Sequence, residues 1–151
     1  MPLEPGEPAP TVTASNQHGE SVTLAFAEPT VLYVYPEDGT PGCSTEADQF
    51  QLELDAYREA GVDVYGVSTD TVASHREFAD DRGVEFELLA DPDGELAGAF
   101  EVDLRDDGTA PRTTFVLAEG QVCGLYEGVR PDGHAREVLR DMLDMGLVSL
   151  E

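Results

Sequence analysis

"YPEDGTPGCSTEADQF", residues 35–50, places one of the chain's two cysteines between a Pro-Gly turn and a Ser-Thr-Glu run that opens a helix. Thr40 is a good N-cap residue, Pro41 suits the first helical position, and Gly42 leaves room for another group to approach the backbone. Cys43 therefore falls in the first helical turn, where unpaired N–H groups and the helix dipole favour an anion. The thiolate is the nucleophilic form of cysteine, and helix N-termini with a nearby cation are places where it forms.

Just upstream, "PTVLYVYP" (29–36) is an apolar, β-branched run bounded by prolines, the pattern of a strand buried on both faces. A buried strand leading straight into a helix places Cys43 beyond the strand's carboxyl end, where open α/β sheets build their sites. From about Thr40 to Ala60 the pattern is helical, with Ala47, Phe50, Leu54 and Tyr57 on one face. "TVTASNQHGESVTL" reads as two short strands around a His-Gly turn. "GVDVYGVST" is a second buried strand, and Asp70 is expected to cap a helix with Val72, Phe78 and Ala79 inward.

"FELLAD" and "GELAGAF" follow as a third strand and a short helix, and "TTFVLAEGQVCGLYEGV" as a hairpin turning at Glu119-Gly120. A last helix starts near Asp132 with Ala135, Val138, Leu139, Met142 and Leu143 as its apolar stripe. The expectation is one α/β domain over residues 1–151, a central mixed β-sheet flanked by helices in the order of a thioredoxin-like fold.

The 151 residues carry 32 acidic side chains against 8 basic ones, a formal charge of -24, and every basic residue is arginine. Such a surface repels nucleic acid and anionic membranes, so neither is expected as a partner. Acid spread over nearly every segment fits a halophilic protein in a salty cytoplasm, where a Debye length of roughly 3 Å at 1 M salt screens self-repulsion. "MPLEPGEPAP" has no basic region or apolar run of a signal peptide, and no segment approaches the length of a membrane span, so a cytoplasmic location is expected. Two distant cysteines and three scattered histidines form neither a disulfide framework nor a zinc site.

Glu37, Asp38, Glu46 and Asp48 all oppose a thiolate at Cys43, so a cation must be brought in. Arg112, in "APRTTFVL", precedes a strand edge from which it can reach the strand–helix junction. Glu46, three residues after Cys43, is placed to hold that guanidinium in a bidentate pair. On residue type and position alone, a small buried hydrophobe and a nucleophile remain evenly matched for Cys43.

"YVYPEDGTPGCSTEADQF" resembles the active-site segment of peroxiredoxins, with Pro36, Thr40 and Cys43 on the Pro-x3-Thr-x2-Cys spacing. "VYGVSTDTVASHREFAD", "LLADPDGELAGAFEV" and "PRTTFVLAEGQV" resemble the Q-type branch, also called bacterioferritin comigratory protein, in order and interval. The resemblance spans residues 3 to about 145. It implies that Cys43 attacks the terminal oxygen of a hydroperoxide and becomes a sulfenic acid. Thr40 would hydrogen-bond peroxide and thiolate, Arg112 would stabilise the thiolate and the leaving oxygen, Pro36 would shield the sulfenic acid, and Glu46 would orient Arg112. No metal, haem, flavin or other cofactor is implied.

Many members of that branch carry a resolving cysteine five residues after the first; here Asp48 stands there. Cys123 then reads first as a structural strand residue, leaving a one-cysteine enzyme reduced by an external thiol, either a thioredoxin-like protein or a small thiol. The other reading has Cys123 resolving after local unfolding or across a dimer; monomer and dimer both stay open. Glu101 stands where the branch usually has Gly, so a local turn difference is expected; His75 reads as a helix-face residue, His18 and His134 as turn or cap residues. A thiol–disulfide oxidoreductase is disfavoured because no Cys-x-x-Cys exists. A redox-sensing or holdase-type binding protein switched by Cys43 oxidation is the alternative from another class.

Overall fold

The computed structural model describes residues 2–148. In chain order the elements are β1 (Val12–Ser15), β2 (Ser21–Leu24), β3 (Thr30–Val34), α1 (Pro41–Leu52), α2 (Leu54–Glu59), β4 (Asp63–Ser68), α3 (Val72–Arg82), β5 (Glu87–Ala90), α4 (Glu95–Ala99), β6 (Thr113–Ala118), β7 (Gln121–Glu127) and α5 (His134–Asp144). Every residue of β3 is buried, as its unbroken apolar run demands. β4 lies parallel to β3 and β5 parallel to β4, while β6 runs antiparallel on the other side of β3 and β7 antiparallel to β6. The β1–β2 hairpin joins through Ser15 opposite Ala90, giving the order β2-β1-β5-β4-β3-β6-β7.

Alternation along β3 divides the core. Val31, Tyr33 and Tyr35 face a cluster closed by Phe50 of α1, Tyr57 of α2, Phe78 of α3 and Met142 of α5. Leu32 and Val34 face a second cluster with Leu96 of α4, Phe100 and Phe115. Phe50 stacks on Tyr33 with ring centroids 4.5 Å apart and an interplanar angle of 8°, so the ring next to the Cys43 turn is locked against the central strand.

The helix expected from Thr40 to Ala60 is interrupted at Glu53, whose φ of -92° and ψ of 1° separate α1 from α2. Asp70 does not cap α3. Thr71 does, its side chain accepting from the Ser74 N–H, while Asp70 instead accepts from the Asp38 N–H. The buried side chains of α3 are His75, Phe78 and Ala79; Val72 is only half-buried at the first turn. Glu119 and Gly120 both take positive φ, 54° and 71°, which the tight hairpin requires. Glu101 has φ of 57°, a left-handed conformation that costs glycine less than glutamate.

Candidate active site

Cys43 sits in the first turn of α1, just past the carboxyl end of β3, and is 1% exposed. Val34, the last residue of β3, pairs with Thr113, so Arg112 is delivered beside the β3–α1 junction. Its Nη2 donates to Cys43 Sγ at 3.3 Å and its Nη1 to Glu46 Oε1 at 3.0 Å. The expected bidentate pair is therefore corrected to a single bond, because one arm of the guanidinium is committed to sulfur. Glu46 is 1% exposed, and its Oε2 has no hydrogen-bond partner among the described residues. Burial pushes its carboxyl up to about 7, with the Arg112 charge pulling the other way. Tyr33, whose buried hydroxyl is also unpartnered, titrates well above its usual range through burial, with the Glu46 and Cys43 charges adding to the effect.

Gly42 is the group that admits Arg112. A Cβ there would collide with the guanidinium and would also lie 3.5 Å from Pro131 Cγ. Pro41 occupies the start of the helix and Thr40 the N-cap position, its carbonyl accepting from the Ser44 N–H at 2.9 Å. The Thr40 hydroxyl, expected to cap the turn and address the sulfur, instead donates to the Glu37 carbonyl at 3.1 Å. That commits its proton and leaves its lone pairs as acceptors. Pro36 is half-buried in the segment joining β3 to α1.

That segment is tied down by residues the sequence reading passed over. The Asp38 carboxylate accepts from Tyr35 Oη at 2.6 Å and Ser74 Oγ at 2.8 Å, and meets His75 Nδ1 at 2.7 Å. His75 is fully buried, and its Nε2 lies 3.0 Å from the Leu89 carbonyl, so it lies on the inward face of α3 and clamps the loop to the core. Asp38, Asp70 and His75 have the residue types of a cation site, but these hydrogen bonds already occupy them. His134 is buried against Thr114 Oγ1 at 2.8 Å, and burial lowers its imidazole to about 4. Ser74 and His75 are more than thirty residues from Asp38 in sequence, so no local motif announces their part in the clamp.

Cys123, half-buried on β7, has the Ala118 and Gln121 carbonyls as the hydrogen-bond partners of its sulfur among the described residues, at 3.9 and 3.8 Å. Burial pushes its thiol up. The β3–β6–β7 ladder aligns Val34, Thr113 and Glu127 at the Cys43 end, so Cys123 lies four residues, roughly 13 Å, back along β7. The two cysteines thus belong to opposite ends of the sheet, too far for a bridge that needs Cα atoms roughly 4.4–6.8 Å apart. Asp48 faces α3 and pairs with both Nε and Nη2 of Arg82.

The AhpC/TSA family pattern matches residues 5–123. The chain is a peroxiredoxin of the AhpC/TSA family. Peroxiredoxin Bcp of Bacillus subtilis is 33% identical over 154 residues, covering 96% of this chain and 98% of that protein. The chloroplastic peroxiredoxin Q of Triticum aestivum is 36% identical over 140 residues, and the match spans 89% of this chain but 64% of that longer protein. Among solved structures, peroxidoxin BcpB of Mycobacterium tuberculosis superposes with a TM-score of 0.88 at 28% identity over 95% of this chain and 98% of that one. A bacterioferritin comigratory protein of Xanthomonas campestris, studied for alkyl peroxide reduction, gives 0.82 at 34% identity over 89% and 91% of the two chains. These relatives place the chain in the Q/Bcp branch, and the mixed sheet is the family's thioredoxin-like fold. Among the described residues no helix is long and apolar enough to cross a membrane.

Proposed function

We propose that this chain reduces hydrogen peroxide or alkyl hydroperoxides at Cys43 by a one-cysteine mechanism. Membership of the peroxiredoxins makes it a thiol-dependent peroxidase, an oxidoreductase. The observation that carries the assignment to Cys43 is the Arg112 guanidinium shared between its sulfur and the Glu46 carboxylate. In the proposed reaction the Cys43 thiolate attacks the terminal oxygen, a sulfur–oxygen bond forms, and the oxygen–oxygen bond breaks. The leaving oxygen takes up a proton and departs as water or alcohol, leaving a sulfenic acid.

Each neighbour has a role set by its position. Arg112 stabilises the thiolate and the charge that develops on the leaving oxygen. Thr40 Oγ1, its own proton given to Glu37, accepts from the peroxide O–H. Glu46 holds Arg112 in place. Pro36 covers the sulfenic acid from bulk water. With Asp48 at the position of a helix cysteine and Cys123 at the far end of the sheet, the sulfenic acid is returned to the thiol by an external thiol, a thioredoxin-like protein or a small molecule. The acidic composition supports work in a salty cytoplasm.

The test is intact mass in high-salt buffer after one equivalent of hydrogen peroxide, with a sulfenic-acid trap present. The expected adduct needs Cys43 and survives Cys123→Ser. A loss of two mass units that needs both cysteines would make Cys123 the resolving residue. No rapid modification of Cys43 would remove the peroxidase assignment to that residue.

A further inference from the structure

A cavity of about 620 Å³ opens between the carboxyl end of β7 and α5, within the size range of small-molecule sites. Three of the chain's eight basic residues, Arg130, Arg136 and Arg140, line it. Arg136 is paired with Glu53. Arg130 and Arg140 form no ion pair among the described residues, although the chain offers 32 acidic side chains. On a surface this acidic, a lining of three arginines and three carboxylates, with two of the arginines outside any ion pair, is locally less negative than its surroundings.

The cavity lies at the Cys43 end of the sheet. Glu127, on its wall, pairs with Thr113 next to Arg112, and the Val129 N–H is 3.5 Å from the Arg112 carbonyl. Pro131, between two lining residues, packs against Gly42 beside Cys43. Glu127, Asp132 and Glu137 also line it. Asp132 accepts from Gln49, and among the described residues neither Glu127 nor Glu137 forms an ion pair with an arginine, so Arg130 and Arg140 are the cations left to take a ligand.

We propose that this cavity binds the carboxylate of a small external thiol that reduces Cys43, with Arg130 and Arg140 as the anchoring cations. The proposal rests on the peroxidase reading of Cys43. The thiol's sulfur attacks the sulfenic sulfur, a disulfide forms, and the hydroxyl leaves with the thiol proton as water. A second thiol molecule then attacks the mixed disulfide, releasing Cys43 as a thiol and the small disulfide as product. The overall balance is two thiols and one hydroperoxide giving one disulfide, one alcohol or water, and one water. Arginine–carboxylate bonds keep strength where a whole-surface charge does not, which is how an anionic reductant is accepted by a chain of formal charge -24.

The experiment compares wild type with the double variant Arg130→Glu, Arg140→Glu at one ionic strength, using 3-mercaptopropionate, neutral 2-mercaptoethanol and cationic cysteamine as reductants of peroxide-oxidised enzyme. The KM for 3-mercaptopropionate relative to 2-mercaptoethanol is expected to rise about tenfold, the loss of a charge-assisted anchor. The KM for cysteamine relative to 2-mercaptoethanol is expected to fall. A double Gln variant should show the first effect more weakly and the second hardly at all, which general damage to the fold would not produce. Equal changes for all three thiols, no change, or a change confined to the hydroperoxide KM would overturn the assignment. If wild-type Cys43 forms no sulfenic acid in the trapping assay, the peroxidase reading fails, and this assignment with it. If it does form one and the thiol ratios stay put, only the cavity assignment fails.

Discussion

Cys43 and Cys123 pack against the same apolar cluster on the same face of one sheet, yet their polar surroundings are opposite. Cys43 lies in the first turn of a helix, and the Arg112 guanidinium points a hydrogen at its sulfur. Around Cys123 are the carbonyl oxygens of Ala118 and Gln121, which point lone pairs at it. The more deeply buried of the two is thus the one given means to carry charge. Burial alone does not decide cysteine chemistry; the few polar contacts that survive burial do.

The largest effect that would break this contrast is at the sulfur itself. Cys43→Ser is expected to lower peroxide turnover by more than about a thousandfold, because no other group near Arg112 is a comparable nucleophile. Residual turnover near wild type in that variant would move the chemistry elsewhere. Arg112→Met comes next, with an expected loss of about 10²–10³ in the rate of Cys43 oxidation, the scale of removing one preorganised donor. The geometry of the guanidinium would be tested by Arg112→Lys, which keeps the charge but replaces two arms held apart in a planar fork by one point-like ammonium. It should recover only part of the rate in stopped-flow assays.

Glu46 sharpens the contrast through stability. In the folded chain its carboxyl titrates at about 7, and burial is the main cause. Between its ordinary value of 4.5 and about 7 the folded chain keeps a proton that the unfolded chain has released. The contribution is therefore fully present below about 4.5 and is lost as pH rises through about 7, a change on the order of 3 kcal/mol. Glu46→Gln cannot ionise, so its stability relative to wild type should climb across that window in thermal or denaturant melts. Parallel curves from pH 4 to 8 would mean that Glu46 titrates alike in the folded and unfolded chain, with Arg112 offsetting its burial.

Much of the site was legible because its signals are local. Pro41 at a helix start, Gly42 beside a cysteine, and a buried strand running straight into the helix are neighbours in sequence, and periodicity places Phe50 and Tyr57 inward. Other features were legible only in part. Arg112 was named as the cation, but the division of its two arms between Cys43 and Glu46 depends on the register of β3 with β6. The Thr40 hydroxyl was assigned to the peroxide and thiolate through the resemblance of its segment; in the fold its proton goes to the Glu37 carbonyl. The Asp38–His75 clamp was not legible at all, since its meaning arises only when α3 packs beside the loop. The inward face of α3 was read from Phe78 and Ala79, which are buried with His75, but nothing local shows that the imidazole reaches Asp38.

A smaller perturbation tests how tightly the Cys43 end is built. Gly42→Ala would drive a methyl group into the guanidinium, whose flexible stem can retreat, so the expected result is about a tenfold slower oxidation of Cys43 with little loss of fold. Wild-type kinetics in that variant would mean that the guanidinium contact with sulfur contributes little to the rate.

The smallest expected effect is at Cys123. Its sulfur is about 13 Å along β7 from the level of the β3–α1 junction, and its nearest polar atoms are carbonyls at 3.8 Å or more. Cys123→Ser should therefore leave multiple-turnover peroxide reduction by excess small thiol within about twofold of wild type, since it alters neither nucleophile nor cation. A hydroxyl donates to those carbonyls better than a thiol does, so the fold should hold as well. If turnover instead stops after one equivalent of peroxide while Cys43 still oxidises, Cys123 is the reductant of the sulfenic acid. The sheet would then have to open between its two ends, and the thiol expected in the β7–α5 cavity would be reducing a disulfide rather than a sulfenic acid.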